Sequence, residues 1–342
     1  MNASDIVSAP ARIAAIGSWA PAGLLTNADL ERMVDTSDEW IFRRTGIKRR
    51  HKVGEGEYAS TVAFGAIDDL FKHNPKYTIR DVDYIIAGSS TADYAFPSLS
   101  AMVQAHYEMP LTVGAVDIST ACAGFTYGLN LAAGLVASRQ AKRVLVVVGD
   151  ALTRTIDYTD RATCVLFGDG GGAALVECSE KPGIFGMYAG ADGTAGAFLY
   201  RTAVRQEVNG VIDDSRLVRQ EGASIYRWVM ENIPDAIASV LKRAGVTLDD
   251  IDWFVPHSAN ARMIEALDHR LPFPIERTLL SIEEYGNTSG ASIPLALTPA
   301  VRDGRVRQGD KLLLMGFGGG LVLAGNVVHW SAGKRANTPA TS

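Results

Sequence analysis

Two short stretches of this chain copy one another. Asp81-Val82-Asp83-Tyr84-Ile85-Ile86 recurs as Asp250-Ile251-Asp252-Trp253-Phe254-Val255, and each copy follows a helical stretch, 60–72 in the first case and 224–244 in the second. Further on, Arg143-Val144-Leu145-Val146-Val147-Val148-Gly149 is echoed by Asp310-Lys311-Leu312-Leu313-Leu314-Met315-Gly316, and a glycine-rich turn precedes the last strand of each half, at 167–172 and 317–320. A chain of 342 residues is too long for one ordinary core. The repeat therefore predicts two copies of one α/β unit, a first half over 1–181 and a second over 182–342. Buried strands alternating with helices predict mixed sheets covered on both faces. Sites in such folds collect at strand C-terminal ends and helix N-termini.

Cys122 stands at such a junction. Residues 114–118 read as a short buried strand, and 123–137 as a proline-free central helix rich in Ala, Leu and Gly. A lone cysteine among apolar residues is ordinarily core filling. One at a helix start meets unpaired N–H groups and the positive end of the helix dipole, which favour a thiolate and predict a lowered pKa. The small neighbours Ala121, Ala123 and Gly124 leave room for a substrate carbonyl. From spacing alone both readings, nucleophile and core, stand.

The first-half cysteine needs partners, and the equivalent strand end in the second half offers them. Of six histidines, His257 alone follows the repeated strand, before an amphipathic segment at 261–267. Asn287 lies in a loop that opens the next helix, where an N-cap or turn role competes with a catalytic one. The glycines at 318–320 lack the Gly-x-Gly-x-x-Gly spacing and following helix of a dinucleotide site; close backbone approach that offers an N–H to an oxyanion fits them better. Upstream, a helix capped near Asn27 or Thr36 leads to Trp40, Arg43 and Arg44. This is either a solvated helix end or a flat aromatic beside guanidinium groups, suited to a nucleotide base and phosphates.

Composition narrows the partners. With 47% hydrophobic and 21% charged residues and a net charge of -5, the chain reads as a globular protein without nucleic acid as a bulk partner. Three cysteines without a CxxC pair, and a stretch 1–10 with no basic, apolar leader pattern, predict a reducing cytoplasmic setting without disulfides or a structural metal. The uncharged run 312–328 is interrupted by glycines and shorter than the ~20 apolar residues of a membrane span. It predicts two buried strands joined by a turn, and no membrane partner.

Taken together these residues resemble the 3-oxoacyl-[acyl-carrier-protein] synthase III family of the thiolase superfamily, over about 11–330. The resemblance rests on Thr36-Ser37-Asp38-Glu39-Trp40-Ile41 with Arg44-Thr45-Gly46-Ile47, Ala95-Phe96-Pro97-Ser98, Ala121-Cys122-Ala123-Gly124, Asp160-Arg161, Phe167-Gly168-Asp169-Gly170, Pro256-His257 with Ala259-Asn260, Tyr285-Gly286-Asn287-Thr288-Ser289 and Phe317-Gly318-Gly319-Gly320. It implies a thiolase-like α/β fold of two duplicated halves in an α-β-α-β-α sandwich. It also implies a β-ketoacyl-carrier-protein synthase that condenses an acyl-CoA primer with malonyl-carrier protein, initiating fatty-acid synthesis without a metal or other cofactor.

By the same resemblance Cys122 is the nucleophile, and His257 and Asn287 drive decarboxylation. That role requires the imidazole proton on Nε2. The N–H groups of Cys122 and Gly319 form the oxyanion hole. Trp40, Arg44, Arg161, Tyr226 and Asn260 hold coenzyme A, Arg227 and Arg262 belong to a basic surface for the acidic carrier protein, and Phe96 reaches across a homodimer to close the partner's acyl pocket. Two residues depart from the family pattern: Ser258 where many relatives have Gln, and Gly290 where Ala is common, which could loosen the helix start or enlarge the pocket. An acyltransferase or specialised condensing enzyme of a secondary-metabolite, polyketide, quinolone or biotin pathway, and a catalytically silent scaffold, are the competing functional readings.

Overall fold

The computed structural model describes residues 11–332; the stretch 1–10, read above for a leader pattern, lies outside the described residues. Its two main sheets are built from nine strands. The first sheet holds β1 (Ala11–Trp19), β2 (Tyr84–Gly88), β3 (Gly114–Ile118), β4 (Arg143–Asp150) and β5 (Gly170–Cys178), in the order β1-β5-β4-β2-β3. The second holds β6 (Ile184–Ala191), β7 (Trp253–Pro256), β8 (Lys311–Gly318) and β9 (Val322–His329), in the order β6-β9-β8-β7. Both are mixed: β2 runs parallel to β3 and β4, β7 parallel to β8, and the other pairings are antiparallel.

Seven helices matter here: α1 (Asp38–Thr45), α2 (Ala59–His73), α3 (Leu99–His106), α4 (Gly124–Ala137), α5 (Gly222–Ala244), α6 (Ala261–Arg270) and α7 (Ser292–Arg302). Helices α2 and α3 cover the outer face of the first sheet, α5 and α6 that of the second, and α4 and α7 lie between the sheets. The result is five layers. Strand alternation shows why the central strands are apolar throughout: Val144, Val146 and Val148 join the inner core with Leu312 and Leu314, while Leu145 and Val147 face α2 and Leu313 and Met315 face α5.

The repeat is visible in hydrogen bonds. Thr78 with Asp81, and Thr247 with Asp250, close the same capping box before β2 and β7. The Asp83 carboxylate then accepts from the N–H groups of Lys142 and Arg143, and the Asp252 carboxylate from Lys311 N–H, fixing the entry of β4 and β8.

Several expectations shift. The strand at 114–118 exists, but as the edge of its sheet, with 115–117 exposed rather than buried; in the second half its counterpart is reduced to a single bridge, Phe254 to Thr278. The glycines at 170–172 lie inside β5 rather than in a turn before it. A Cβ at Gly171 would sit 2.1 Å from Val62 O, and one at Gly172 2.0 Å from Pro294 Cγ, so α2 and α7 pack directly on the backbone. The early helix caps fall one residue away from both expected positions: Thr26 caps a short helix at Asn27–Glu31 and Ser37 caps α1. Asn27 is instead buried, donating to Ile47 O and Asp38 while accepting from Arg50.

Candidate active site

The chain reverses between β3 and α4 through a tight turn, Ala121–Ala123, entered by Ala121 with φ of 42°. Cys122 occupies the middle of that turn, not the first turn of the α-helix, and is 8% exposed. The second half closes over it. A Cβ at Gly318 would lie 2.6 Å from Cys122 Cβ and 3.0 Å from Sγ, and one at Gly316 2.4 Å from Thr126 Oγ1. Glycine at those two positions lets β8 lie against the cysteine turn, whereas at Gly319 a Cβ would meet only ordinary contacts.

This burial reverses the expected thiol shift. Desolvation, with the Asp150 carboxylate adding to it, pushes the Cys122 thiol up to about 11 against the opposing pull of the Ser289 hydroxyl and the N–H groups of Cys122 and Gly319. Burial outweighs the pull of those backbone groups.

His257 follows β7, its N–H donating to Met315 O at 2.8 Å. The side chain is 2% exposed, with Nδ1 2.7 Å from Ser292 Oγ and the ring edge-on to Phe317 at 5.4 Å. Burial lowers its pKa to about 3, so the imidazole is neutral at physiological pH. Asn287 is held by the first half: its N–H donates to Leu166 O and its carbonyl accepts from Gly168 N–H. Its Oδ1 accepts from Ser289 N–H at 2.9 Å, which turns the Nδ2 amide away from that turn.

Cys122, His257 and Asn287 all line one cavity of about 480 Å³. Its other end is more exposed and carries Trp40, Arg44, Tyr226, Asn260 and Arg262. Helix α1 explains the first two: Ser37 caps it, Asp38 and Glu39 sit at its positive end, Arg43 and Arg44 at its negative end, and the i, i+4 spacing brings the Arg44 guanidinium to 5.9 Å from the Trp40 ring. Arg161 lies over the same ring at 5.0 Å, tied to Asp35 O.

Asn260 and Arg262 have local work as well. Asn260 caps α6 through Arg262 N–H and donates to Arg44 O, while Arg262 donates to the carbonyls of Arg43 and Phe42, joining the start of α6 to the end of α1. Arg227 is exposed and has no ion pair among the described residues. Phe96, 86% exposed, stands outside the cavity on the loop before α3.

The two departures are accommodated. Ser258 is fully buried, its Oγ accepting from Ser281 N–H. Gly290 does not line the cavity, and a Cβ there would meet Val148 at 3.4 Å. Sequence reasoning gave no role to Ser292, which opens α7, and quoted Phe167 and Phe317 in two motifs without assigning either to the site; a serine at the start of an apolar helix carries no such mark. Among the described residues no helix is long and apolar enough to cross a membrane, and no group of three or more His, Cys, Asp or Glu could hold a metal ion.

Comparison with known proteins gives the family. Residues 116–193 match the family model for 3-oxoacyl-[acyl-carrier-protein (ACP)] synthase III, and residues 241–330 the model for its C-terminal part. The chain is 48% identical to a β-ketoacyl-[acyl-carrier-protein] synthase III 2 of Bacillus subtilis over 94% of its own length and 98% of the relative's. A crystal structure of the Thermus thermophilus β-ketoacyl-[acyl-carrier-protein] synthase III superposes with a TM-score of 0.89 at 42% identity, covering 94% of this chain and all of the other. The priming β-ketosynthase of the R1128 polyketide pathway superposes with a TM-score of 0.88 at 34% identity, covering 94% and 96%. The chain has the thiolase fold and belongs to the 3-oxoacyl-[acyl-carrier-protein] synthase III family.

Proposed function

We propose that Cys122, His257 and Asn287 carry out the decarboxylative condensation of an acyl-CoA primer with malonyl-carrier protein, giving 3-oxoacyl-carrier protein, coenzyme A and carbon dioxide. The observation that carries this reading is the shared cavity: a buried thiol from one half and a neutral imidazole and an amide from the other face the same space, whose outer end bears Trp40 and Arg44, with the Arg161 guanidinium also near the Trp40 ring.

The chemistry follows in two stages. Cys122 sulfur attacks the thioester carbonyl of the primer, the acyl group moves to sulfur, and coenzyme A leaves as its thiol with the proton Cys122 gives up. Malonyl-carrier protein then binds with its thioester oxygen between His257 Nε2–H and Asn287 Nδ2–H. Loss of carbon dioxide places an electron pair on the α-carbon, shared as an enolate with that oxygen, and the two donors stabilise it. The carbon attacks the acyl-Cys122 carbonyl. The N–H groups of Cys122 and Gly319 hold the oxyanion until it collapses, freeing the Cys122 thiolate. The bond-forming pairs come from the Cys122 sulfur and from the carbon–carboxylate bond of malonyl, the freed thiolate regains a proton from solvent, and no outside oxidant or reductant enters, so this chemistry calls for neither a metal nor a redox cofactor.

Trp40, Arg44 and Arg161 suit the adenine and phosphates of coenzyme A. Arg161 already lies over Trp40, so a base stacking between them first displaces that guanidinium. Tyr226 and Asn260 line the path for the pantetheine arm, and Arg227 and Arg262 provide positive charge for the acidic carrier protein. A homodimer through the first half is part of the same proposal, in a cytoplasmic setting. Its support is β3, an edge strand with Val116 39% exposed, near the exposed apolar side chains Tyr94, Phe96 and Leu111; sedimentation at nanomolar and micromolar concentration tests it, an active monomer rejecting it.

Intact-protein mass spectrometry with a mixed acyl-CoA panel tests the reaction. The expected result is an acyl mass on Cys122 that malonyl-carrier protein discharges as 3-oxoacyl product. An acyl mass that malonyl-carrier protein fails to discharge favours a different acceptor, the reading raised by the likeness to a polyketide priming enzyme.

A further inference from the structure

We infer that Ser292 is a positioning residue that fixes the single ring proton of His257 on Nε2, by donating its hydroxyl hydrogen to Nδ1. The inference rests on the reading of His257 as an enolate-stabilising donor and supplies what that reading requires without explaining, the group that keeps the proton on Nε2.

Ser292 is the first residue of α7 and is fully buried. Its Oγ lies 2.7 Å from Nδ1 and accepts from Ser258 N–H at 3.3 Å. One side of the hydroxyl oxygen is therefore occupied by a donor that cannot also accept. Among the described residues, Nδ1 is the one acceptor within hydrogen-bond geometry of the hydroxyl hydrogen. With the proton on Nδ1, that nitrogen and Ser258 N–H would both donate to Oγ and the serine hydrogen would be left without a partner, an arrangement that costs the desolvation of a buried donor. With the proton on Nε2 the serine hydroxyl, Nδ1 and Ser258 N–H are all satisfied.

The ring is neutral, so it has one proton to place. A backbone group of Ser289 near the ring favours an N–H against the burial, while the hydrogen bond of the ring among the described residues is the one between Nδ1 and the Ser292 hydroxyl. Phe317 holds the ring plane from the side. A symmetry of design follows. Asn287 is oriented by Ser289 N–H acting on Oδ1, and His257 by the Ser292 hydroxyl acting on Nδ1. Both catalytic donors are thus aimed by the same few residues that open α7, each through the atom that faces away from substrate.

The experiment is a long-range proton–nitrogen spectrum of the full-length protein labelled with ¹⁵N-histidine, the His257 signals assigned by their loss in His257→Ala. The expected result is a protonated Nε2 and a bare Nδ1 between pH 5 and 8. In Ser292→Ala the proton redistributes toward Nδ1, and malonyl-carrier-protein decarboxylation falls by roughly tenfold or more, toward the ~10²–10³ of losing an oxyanion donor outright, while acylation of Cys122 keeps its rate. A wild-type protein with its proton on Nδ1 overturns the inference, as does a Ser292→Ala protein with unchanged tautomer and decarboxylation. Because the wild-type spectrum is itself decisive, misfolding of the variant leaves the test intact. Nε2–H in a wild-type protein that decarboxylates no malonyl-carrier protein supports the hydrogen-bond assignment and rejects the condensation reading.

Discussion

The two halves open their central helices in the same way and use the opening differently. In the first, Thr120 precedes Ala121 at φ 42° and the turn Ala121–Ala123; in the second, Thr288 precedes Ser289 at φ 53° and the turn Ser289–Ala291. The two turns pack against each other. Cys122 in one corresponds to Gly290 in the other, so one copy of the motif presents a thiol and the other presents only backbone and the side chains around it. The neighbouring strand ends diverge as well. After β2 and β4 the first half fills its crevice with Asp150, 1% exposed, whose carboxylate accepts from the N–H groups of Ser90 and Thr91 and the hydroxyls of Ser89 and Thr91. After β7 and β8 the second half has His257 and Gly318 in those places, and the space stays open. Duplication thus gives one scaffold two strand-end crevices, one sealed by a polar network and one left as a cavity that the other half's cysteine enters.

The account of a cysteine sealed between the halves is open to a large test. Because burial raises the thiol pKa, the thiolate fraction is small at neutral pH and grows as pH rises. Alkylation of Cys122 by iodoacetamide should therefore accelerate about tenfold per pH unit from 7 to 10, without levelling before the pKa near 11. A plateau by pH 8 would mean that the turn lowers the pKa after all, and that the helix-start reading of the sequence was right in direction.

If the first-half crevice is structural, Asp150→Ala should cost about 1–3 kcal/mol of stability by leaving its donors without a partner. Chemical denaturation measures that cost, and acylation of Cys122 should survive it. Unchanged stability with lost acylation would instead make Asp150 part of the chemistry and break the contrast between the crevices. The smallest effect belongs to Gly290, whose φ is not positive and where an added Cβ would meet nothing closer than 3.4 Å. Gly290→Ala should stabilise by about 0.4–1 kcal/mol through the unfolded chain, with condensation unchanged; a loss of stability would show that the second-half turn needs glycine as much as the first needs cysteine.

Much of this was legible because the information is local. The paired Asp-x-Asp turns announce the repeat, and each forms the hydrogen bonds its spacing suggests. Cys122, His257 and Asn287 stand where strand ends and helix starts place them. What sequence could not carry is the effect of the other half on each residue. The rise in the Cys122 pKa comes from β8 lying against its turn, a contact between residues far apart in the chain. The exposure of β3 depends on which strand ends the sheet, which an apolar run does not reveal. Asn260 read as a coenzyme A contact and Arg262 as part of a surface for the carrier protein, yet each also ties α6 to α1, because the residue type alone does not separate a capping side chain from a binding one. Ser292 gave no signal at all, since its importance lies in one distance to Nδ1.

The division of labour between the halves is tested most directly by measuring the two half-reactions separately in Cys122→Ser and Asn287→Ala: acyl mass gained from acyl-CoA, and carbon dioxide released from malonyl-carrier protein. The expected result is no thioester adduct in Cys122→Ser, and in Asn287→Ala normal acylation with decarboxylation reduced by roughly 10²–10³. Rapid carbon dioxide release and condensation by Asn287→Ala, or a discharging acyl adduct elsewhere in Cys122→Ser, would contradict it.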